Sequence, residues 1–326
     1  MAEINKVRIG ILGTGFGQTH AKIFSSFPDV EIMGIVGRNE HKTREAAHSL
    51  DVSGYTDPNE LINNPEVNAI DVCYPTDVHS KYVLAALTNG KHVFCETPVT
   101  YTHVEAEQMS QTARSSGKLL LVALFGRFVS DYKYVHDYLQ AGHLGNPKVV
   151  FANRRTPPIW GNGWNENFIL DLMLHDIDYL YWLLGKPLAL TSRALGKPGK
   201  KWEHVHIALE YDDASAIIEG CGIMPQSFPF STSLRVVGED AAIDLNWYWG
   251  GECPVSEVKL YPQKGEPEIL SIQGFDPYEA ECRYFVDCIE GKADPELLSI
   301  DTACNSLDIA LAARMSLDQN GKRIEI

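Results

Sequence analysis

The chain has 326 residues, a formal net charge of −15, 44% apolar and 22% charged residues, the balance of an ordinary globular protein. That length suggests two domains, and the acidity argues against nucleic acid or an anionic membrane as partner. The seven cysteines are scattered with no C-x-x-C, which reads as reduced thiols in the cytoplasm and not as a disulfide set or zinc site. No apolar run reaches membrane-spanning length, and the N-terminus enters a strand without a signal peptide's apolar core.

In chain order, the alternating Val7, Ile9 and Ile11 predict a buried first strand that empties into Gly13-Thr14-Gly15-Phe16-Gly17. Glycines there let the backbone approach a bound group, and a helix over Gln18–Phe27 would aim its unpaired N–H groups at the same gap. Gly13 and Gly15 fit the dinucleotide fingerprint G-x-G-x-x-G, but its third slot holds Gln18, with Gly17 one residue early. A plain tight turn in another strand–helix unit is the competing reading. Position favours the fingerprint, because the turn opens a long strand–helix alternation.

Val30–Gly37 predicts the second strand, followed by Arg38 and Asn39, a helix over Glu40–Leu50 and a short one over Pro58–Ile62. Ala69–Tyr74 is a third strand ending at Pro75, Val78–Leu87 a helix closed by Asn89-Gly90, and His92–Cys95 and Leu119–Leu124 flank a helix near His103–Ser115. Strands alternating with helices predict a doubly wound parallel sheet, a Rossmann domain over residues 1–125. The second domain, 126–326, changes character. A helix near Asp131–Ala141, a strand Lys148–Arg154, a loop Thr156–Asn167 and a helix Phe168–Leu184 precede strand-like text to Ile272, and helices return near Tyr278–Glu290 and Thr302–Asn320. This predicts an α+β domain with a large, mainly antiparallel open sheet covered by helices on one face. Its other face must be wet, lined for a ligand or buried in a partner subunit, and a partner is favoured, as a homo-oligomer, a dimer or tetramer, would place it.

Three segments can carry chemistry. In Asp171-Leu-Met-Leu-His175-Asp-Ile-Asp178 the i, i+4, i+7 spacing puts Asp171, His175 and Asp178 on one helix face. A carboxylate beside an imidazole fixes its tautomer and raises its basicity, which suits His175 to take a proton from a hydroxyl. A surface ion pair or a satisfied buried histidine explains the spacing as well, and a metal reading lacks specific ligands. The other two segments are turns after strands, Cys73-Tyr74-Pro75-Thr76-Asp77-Val78-His79 and Cys95-Glu96-Thr97-Pro98. Either alone is loop punctuation by proline; with the glycine turn, both fall on the sheet edge where open α/β sheets bind ligands.

These turns, with Asn89–Pro98, Gly126-Arg127-Phe128 and Asp171–Gly185 in this order, resemble the glucose–fructose oxidoreductase/inositol dehydrogenase (Gfo/Idh/MocA) family over nearly the whole chain. The resemblance implies that the first domain binds NAD(P), the second binds a sugar, inositol or related polyol, and the active site lies between them. Dinucleotide contacts are then expected from Gly13, Thr14, Gly15, Phe16 and Gly17, from Gly37 and Arg38, from Tyr74, Pro75, Thr76 and His79, and from Glu96 and Thr97. Asp171 and His175 fall on the family's supporting carboxylate and general base, and Arg127 and Trp160 join them on the substrate side. Trp160 and Trp164 could pack on a sugar ring, or equally serve as core or interface aromatics. No metal is expected.

The family's E-K-P motif stands here as Glu96-Thr97-Pro98, so an ammonium that the family places near the reacting oxygen is missing. Two functions follow: an NAD(P)-dependent oxidoreductase acting at a secondary hydroxyl or ketone, or a dinucleotide-dependent sugar sensor without turnover. Retention of Asp171 and His175 favours the enzyme. The second strand ends without the acid of an NAD site and continues into Arg38, whose fork suits a 2′-phosphate, which favours NADP(H) over NAD(H). Stacking of Arg38 on adenine, with NAD held by the ribose and Asn39, is the other possibility.

Overall fold

The computed structural model describes residues 6–158, 167–195 and 202–326. Two compact units divide the chain, one of residues 1–125 and 276–304, the other of residues 126–275 and 305–326.

In the first unit, strands β1 (Val7–Leu12), β2 (Val30–Val36), β3 (Gly54–Tyr55), β4 (Ala69–Val72), β5 (His92–Cys95) and β6 (Leu120–Val122) alternate with helices. These are α1 (Gly17–Ser25), α2 (Glu40–Leu50), α3 (Asn59–Ile62), α4 (His79–Thr88) and α5 (His103–Ser116). The sheet order is β3-β2-β1-β4-β5-β6, parallel throughout. The strands are apolar on both faces because helices cover both; Ile9, Ile11, Ile70 and Phe94 are fully buried. Strand order reverses between β1 and β4, and at such a switch point the turns diverge and open a crevice at the strands' carboxyl ends.

The second unit carries α6 (Ser130–Gln140), β7 (Pro147–Arg155), a π-helical turn (Ile169–Met173), α7 (Leu174–Leu184), β8 (Ala189–Leu195), β9 (His204–Glu210), β10 (Ser215–Cys221), β11 (Ser231–Gly238), β12 (Ala241–Trp249), β13 (Pro254–Pro262) and β14 (Glu268–Leu270). After α8 (Pro277–Ile289) and α9 (Ile300–Asp318), a short β15 (Ile324–Glu325) completes the sheet, ordered β14-β13-β12-β11-β7-β10-β9-β8-β15. Every pairing in it is antiparallel except β7 with β10. Alternation sets the faces: Ala216 and Ile218 of β10 are buried, whereas Ile217 is 37% exposed and Phe151 of β7 is 42% exposed. The doubly wound domain followed by an α+β domain with a mainly antiparallel sheet is the architecture the sequence predicts.

The division of the chain is more involved than the single boundary at 125/126 drawn from sequence, which assigned α8 to the second domain. Helix α8 belongs to the first unit because its apolar face completes that core. Phe285 is fully buried, stacks on Phe94 at 5.1 Å and meets the edge of Phe24 at 6.4 Å. Arg283 adds an ion pair to Asp29 at 2.8 Å. Local periodicity identified the helix but not its partner.

Candidate functional site

In the first unit, the glycine turn is built from close backbone approaches. Gly13 has φ +132°, and a Cβ there would lie 2.5 Å from the Cys73 carbonyl oxygen, so only glycine lets the turn after β1 rest on the turn after β4. Gly17 supplies the close helix–strand contact that the fingerprint's third glycine would supply, since a Cβ on it would lie 2.9 Å from Ile11. Gln18 donates from Nε2 to the Thr14 carbonyl at 2.5 Å and ties the turn to α1. A Cβ on Gly15 would meet nothing within 4 Å, and no side chain caps α1. The turn is therefore an exposed cradle at a helix N-terminus, the arrangement that receives a pyrophosphate. Phe16, 39% exposed, packs edge-on against Tyr278 at 5.2 Å.

Gly37 is buried because β2 ends against this turn; a Cβ on it would lie 2.5 Å from the Thr14 side chain. Arg38 beyond it is exposed, while Asn39 spends its side-chain oxygen capping α2 through the Lys42 N–H at 3.0 Å. Burial raises the half-buried Tyr74 phenol to about 12, with Tyr82 adding to the shift and the Arg38 charge opposing it. Arg38 and Tyr74 thus stand within electrostatic reach of each other. Pro75 is exposed and Thr76 half-buried.

His79 departs from expectation. Its ring is 1% exposed, with Nε2 at 2.6 Å from the Tyr74 carbonyl and Nδ1 at 3.0 Å from that of Pro98. Burial lowers its pKa. The imidazole is taken up in joining the turns after β4 and β5, a brace and not a direct dinucleotide contact.

Glu96 and Thr97 are half-buried at the end of β5, with the Thr97 amide donating to Glu96 Oε2 at 3.3 Å. Behind Glu96 lies a group that sequence reasoning passed over. His20 of α1, fully buried, has Nδ1 at 3.0 Å from Asp71 Oδ2 and Nε2 at 3.2 Å from Glu96 Oε1. Cys73 Sγ donates to Asp71 at 3.3 Å, and Glu281 of α8 is 1% exposed. A signal was available: an aspartate inside the apolar run Ala69–Val72 needs a partner.

In the second unit, Asp171 lies within the π-helical turn and His175 at the start of α7, both half-buried. A Cβ on Gly220 of β10 would lie 2.6 Å from Met173, so that glycine lets the π turn press onto the sheet. Asp178 does not join Asp171 and His175 on an open face. It is 3% exposed and receives a fork from Arg127 at 2.9 and 2.7 Å plus the Ser306 hydroxyl at 2.7 Å. The same contact corrects the substrate assignment of Arg127, itself 3% exposed: its guanidinium is used to anchor α7. Arg154 likewise forks onto the buried Asp176 at 2.7 and 3.1 Å.

Burial, and after it the Arg154 charge, lowers His175 to about 3. The imidazole is neutral at physiological pH, as a proton acceptor must be, but its surroundings weaken the basicity that a carboxylate neighbour was expected to strengthen. Trp160 and Trp164 lie outside the described residues.

The family model described as "Oxidoreductase family, NAD-binding Rossmann fold" matches residues 7–124, and the "GFO/IDH/MocA C-terminal domain" model matches residues 132–244. The chain is 29% identical over 331 residues to myo-inositol 2-dehydrogenase of Thermotoga maritima, covering 96% of this chain and 97% of that one. It is 32% identical over 248 residues to inositol 2-dehydrogenase of Paracoccus denitrificans, covering 73% and 74%. Among solved structures, the aldose–aldose oxidoreductase of Caulobacter crescentus in complex with glycerol superposes with TM-score 0.84 at 17% identity, over 98% of this chain and 100% of that one, a likeness of fold. With both of its domains matched by family models and an identity of 32% across most of a relative, the chain belongs to the Gfo/Idh/MocA family of oxidoreductases.

Proposed function

We propose that the protein is an NAD(P)-dependent dehydrogenase or reductase acting at a secondary hydroxyl or ketone of an inositol, sugar or related polyol. The observation that carries this reading is the convergence of the strand-end turns at the β1/β4 switch point, where Gly13 rests on Cys73 and Gly15 leaves the backbone bare. Gly13–Gly17 would seat the pyrophosphate, and Gly37, Arg38 and Tyr74 the adenosine end, with Thr76, Glu96 and Thr97 at the remaining edge. The nicotinamide, when bound, supplies or accepts the hydride. His175 moves the hydroxyl proton, with Asp171 one turn before it on the substrate side. The relatives' names support the enzyme over the sensor.

Arg38 supports NADP(H) over NAD(H): it is exposed, and Asn39, committed to capping α2, is poorly placed to hold a ribose. The exposed Phe151 and Ile217 on the uncovered face of the second unit's sheet support a homo-oligomer. Seven free cysteines fit a cytoplasmic protein.

A dinucleotide-coupled absorbance screen over inositols, sugars and their keto forms tests the proposal, with His175→Ala as control. Loss of one positioned acid–base group is expected to lower turnover by about 10²–10⁴-fold while dinucleotide affinity stays level. Parent-level turnover by the variant on a confirmed substrate would remove His175 from the mechanism. Failure of the parent to turn over any member of the screen would count for the sensor.

A further inference from the structure

The buried group around His20 lies outside the roles assigned above. Each ring nitrogen of His20 faces a carboxylate oxygen, Asp71 on one side at 3.0 Å and Glu96 on the other at 3.2 Å, the second off the line of a full hydrogen bond. A neutral imidazole carries one N–H and one lone pair, so it would present that lone pair to one of the two acids; an imidazolium answers both. The groups facing the ring are, from β4 and its turn, Asp71 and Cys73; from the end of β5, Glu96; and from α8, Glu281, with the thiols of Cys95 and Cys282 in the field of the same carboxyls. Among these facing groups none is cationic. Glu281 is 1% exposed, has no hydrogen-bond partner for either oxygen among the described residues, and lies in the field of His20, Asp71 and Glu96. Burial pulls the His20 pKa down, but Asp71 by charge and hydrogen bond, with Glu96 and Glu281 behind it, raises it from 6.5 to about 9.

The same ring touches each strand-end turn. Cys73, whose carbonyl supports Gly13, has Sγ at 3.5 Å from His20 Nδ1. Glu96, held by Nε2, receives the Thr97 amide through its other oxygen. Phe16 of the glycine turn meets the ring edge-on at 4.9 Å. We propose that His20, held as an imidazolium between Asp71 and Glu96, is the positioning residue that locks the glycine turn, the Cys73–Pro75 turn and the Glu96–Thr97 turn into one dinucleotide-binding surface. The proposal rests on the dinucleotide reading above. His20 acts through its neighbours and touches neither cofactor nor substrate.

The test combines ring-nitrogen NMR of histidine-labelled protein with NADPH and NADH titrations of the parent, His20→Asn, Glu96→Ala and Glu96→Gln. In the parent, both His20 nitrogens are expected to carry protons at pH 7.5 and to release one only as the pH nears 9. Glu96→Ala and His20→Asn should weaken dinucleotide binding by about tenfold or more, the scale of one charge-assisted hydrogen bond. Glu96→Gln, which offers one acceptor where the carboxylate offers two, should bind dinucleotide more weakly than the parent but better than Glu96→Ala, and should lower the pH at which His20 gives up its proton. A neutral His20 at pH 7.5, a bound metal ion in the purified protein, or parent-like affinity in His20→Asn overturns the clamp even though the parent binds dinucleotide. A parent that binds neither dinucleotide overturns the dinucleotide reading first, and the positioning role with it, whatever the charge on His20.

Discussion

Thr97 stands where the family motif carries a lysine, and its hydroxyl can hydrogen-bond but cannot stabilise an alkoxide as an ammonium does. If the site is adapted to threonine, Thr97→Lys should leave turnover lower or unaltered on a confirmed substrate. A large gain of dehydrogenase or reductase activity would instead mark a protein that had lost catalysis for want of that charge, and would favour the sensor. Arg38 gives the second prediction at this scale. Its side chain is exposed beside the glycine turn, so Arg38→Ala should weaken NADPH binding by about tenfold, the scale of one charge-assisted contact, and NADH binding far less. Equal losses for both cofactors, or tighter NADH binding in the parent, would remove the NADP(H) preference.

Helix α7 shows why a helix face inferred from spacing can split. A regular helix would carry Asp171, His175 and Asp178 together, but the π-helical turn over Ile169–Met173 precedes α7, and Asp178 turns inward to Arg127 and Ser306. Two buried guanidinium–carboxylate forks, Arg127–Asp178 and Arg154–Asp176, therefore fix the helix that carries His175. Removing one partner leaves an uncompensated charge in the interior. Arg127→Ala is expected to lower the unfolding free energy by about 3–5 kcal/mol in denaturant titration, while Arg127→Ala combined with Asp178→Ala should recover part of the loss. A loss below about 1 kcal/mol would show that the fork is not a structural anchor.

For the whole molecule, three histidines, the buried His20 and the half-buried His92 and His175, set opposing limits on stability against pH. His20 is raised to about 9, so its contribution is fully present below its unfolded value near 6.5 and is lost as the pH rises through 9. His92 is lowered to about 4, burial first and Lys118 second, and His175 to about 3. Their contributions are present above 6.5 and are lost as the pH falls through those values. The histidine contributions taken together are therefore greatest near pH 6.5, while Glu96, raised by burial from 4.5 to about 7, adds a contribution that is lost as the pH rises through that value. Denaturation midpoints measured across pH 4–10 check this, and His20→Asn should flatten the alkaline limb between pH 7 and 9. An alkaline limb unchanged in that variant would assign the decline to other groups.

The sequence by itself determined the architecture, because strand and helix periods are local: residues two or four apart report the face they share. The glycine turn and the doubly wound alternation were legible for that reason, and the family resemblance added roles that no spacing carries. Tertiary structure alone decided which polar groups are consumed by one another. His79, Arg127 and Asp178 are, on sequence, as eligible to bind ligands as Gly13 or Arg38; only packing shows them spent on Tyr74 and Pro98, on α7, and on Ser306. Helix α8 crosses back to the first unit, and His20, Asp71, Glu96 and Glu281 come together, through contacts between residues as far apart as Phe24 and Phe285. Such partners carry no local period, since what pairs them is the cost of burying a charge or an apolar face alone, and that cost exists only once the chain has folded.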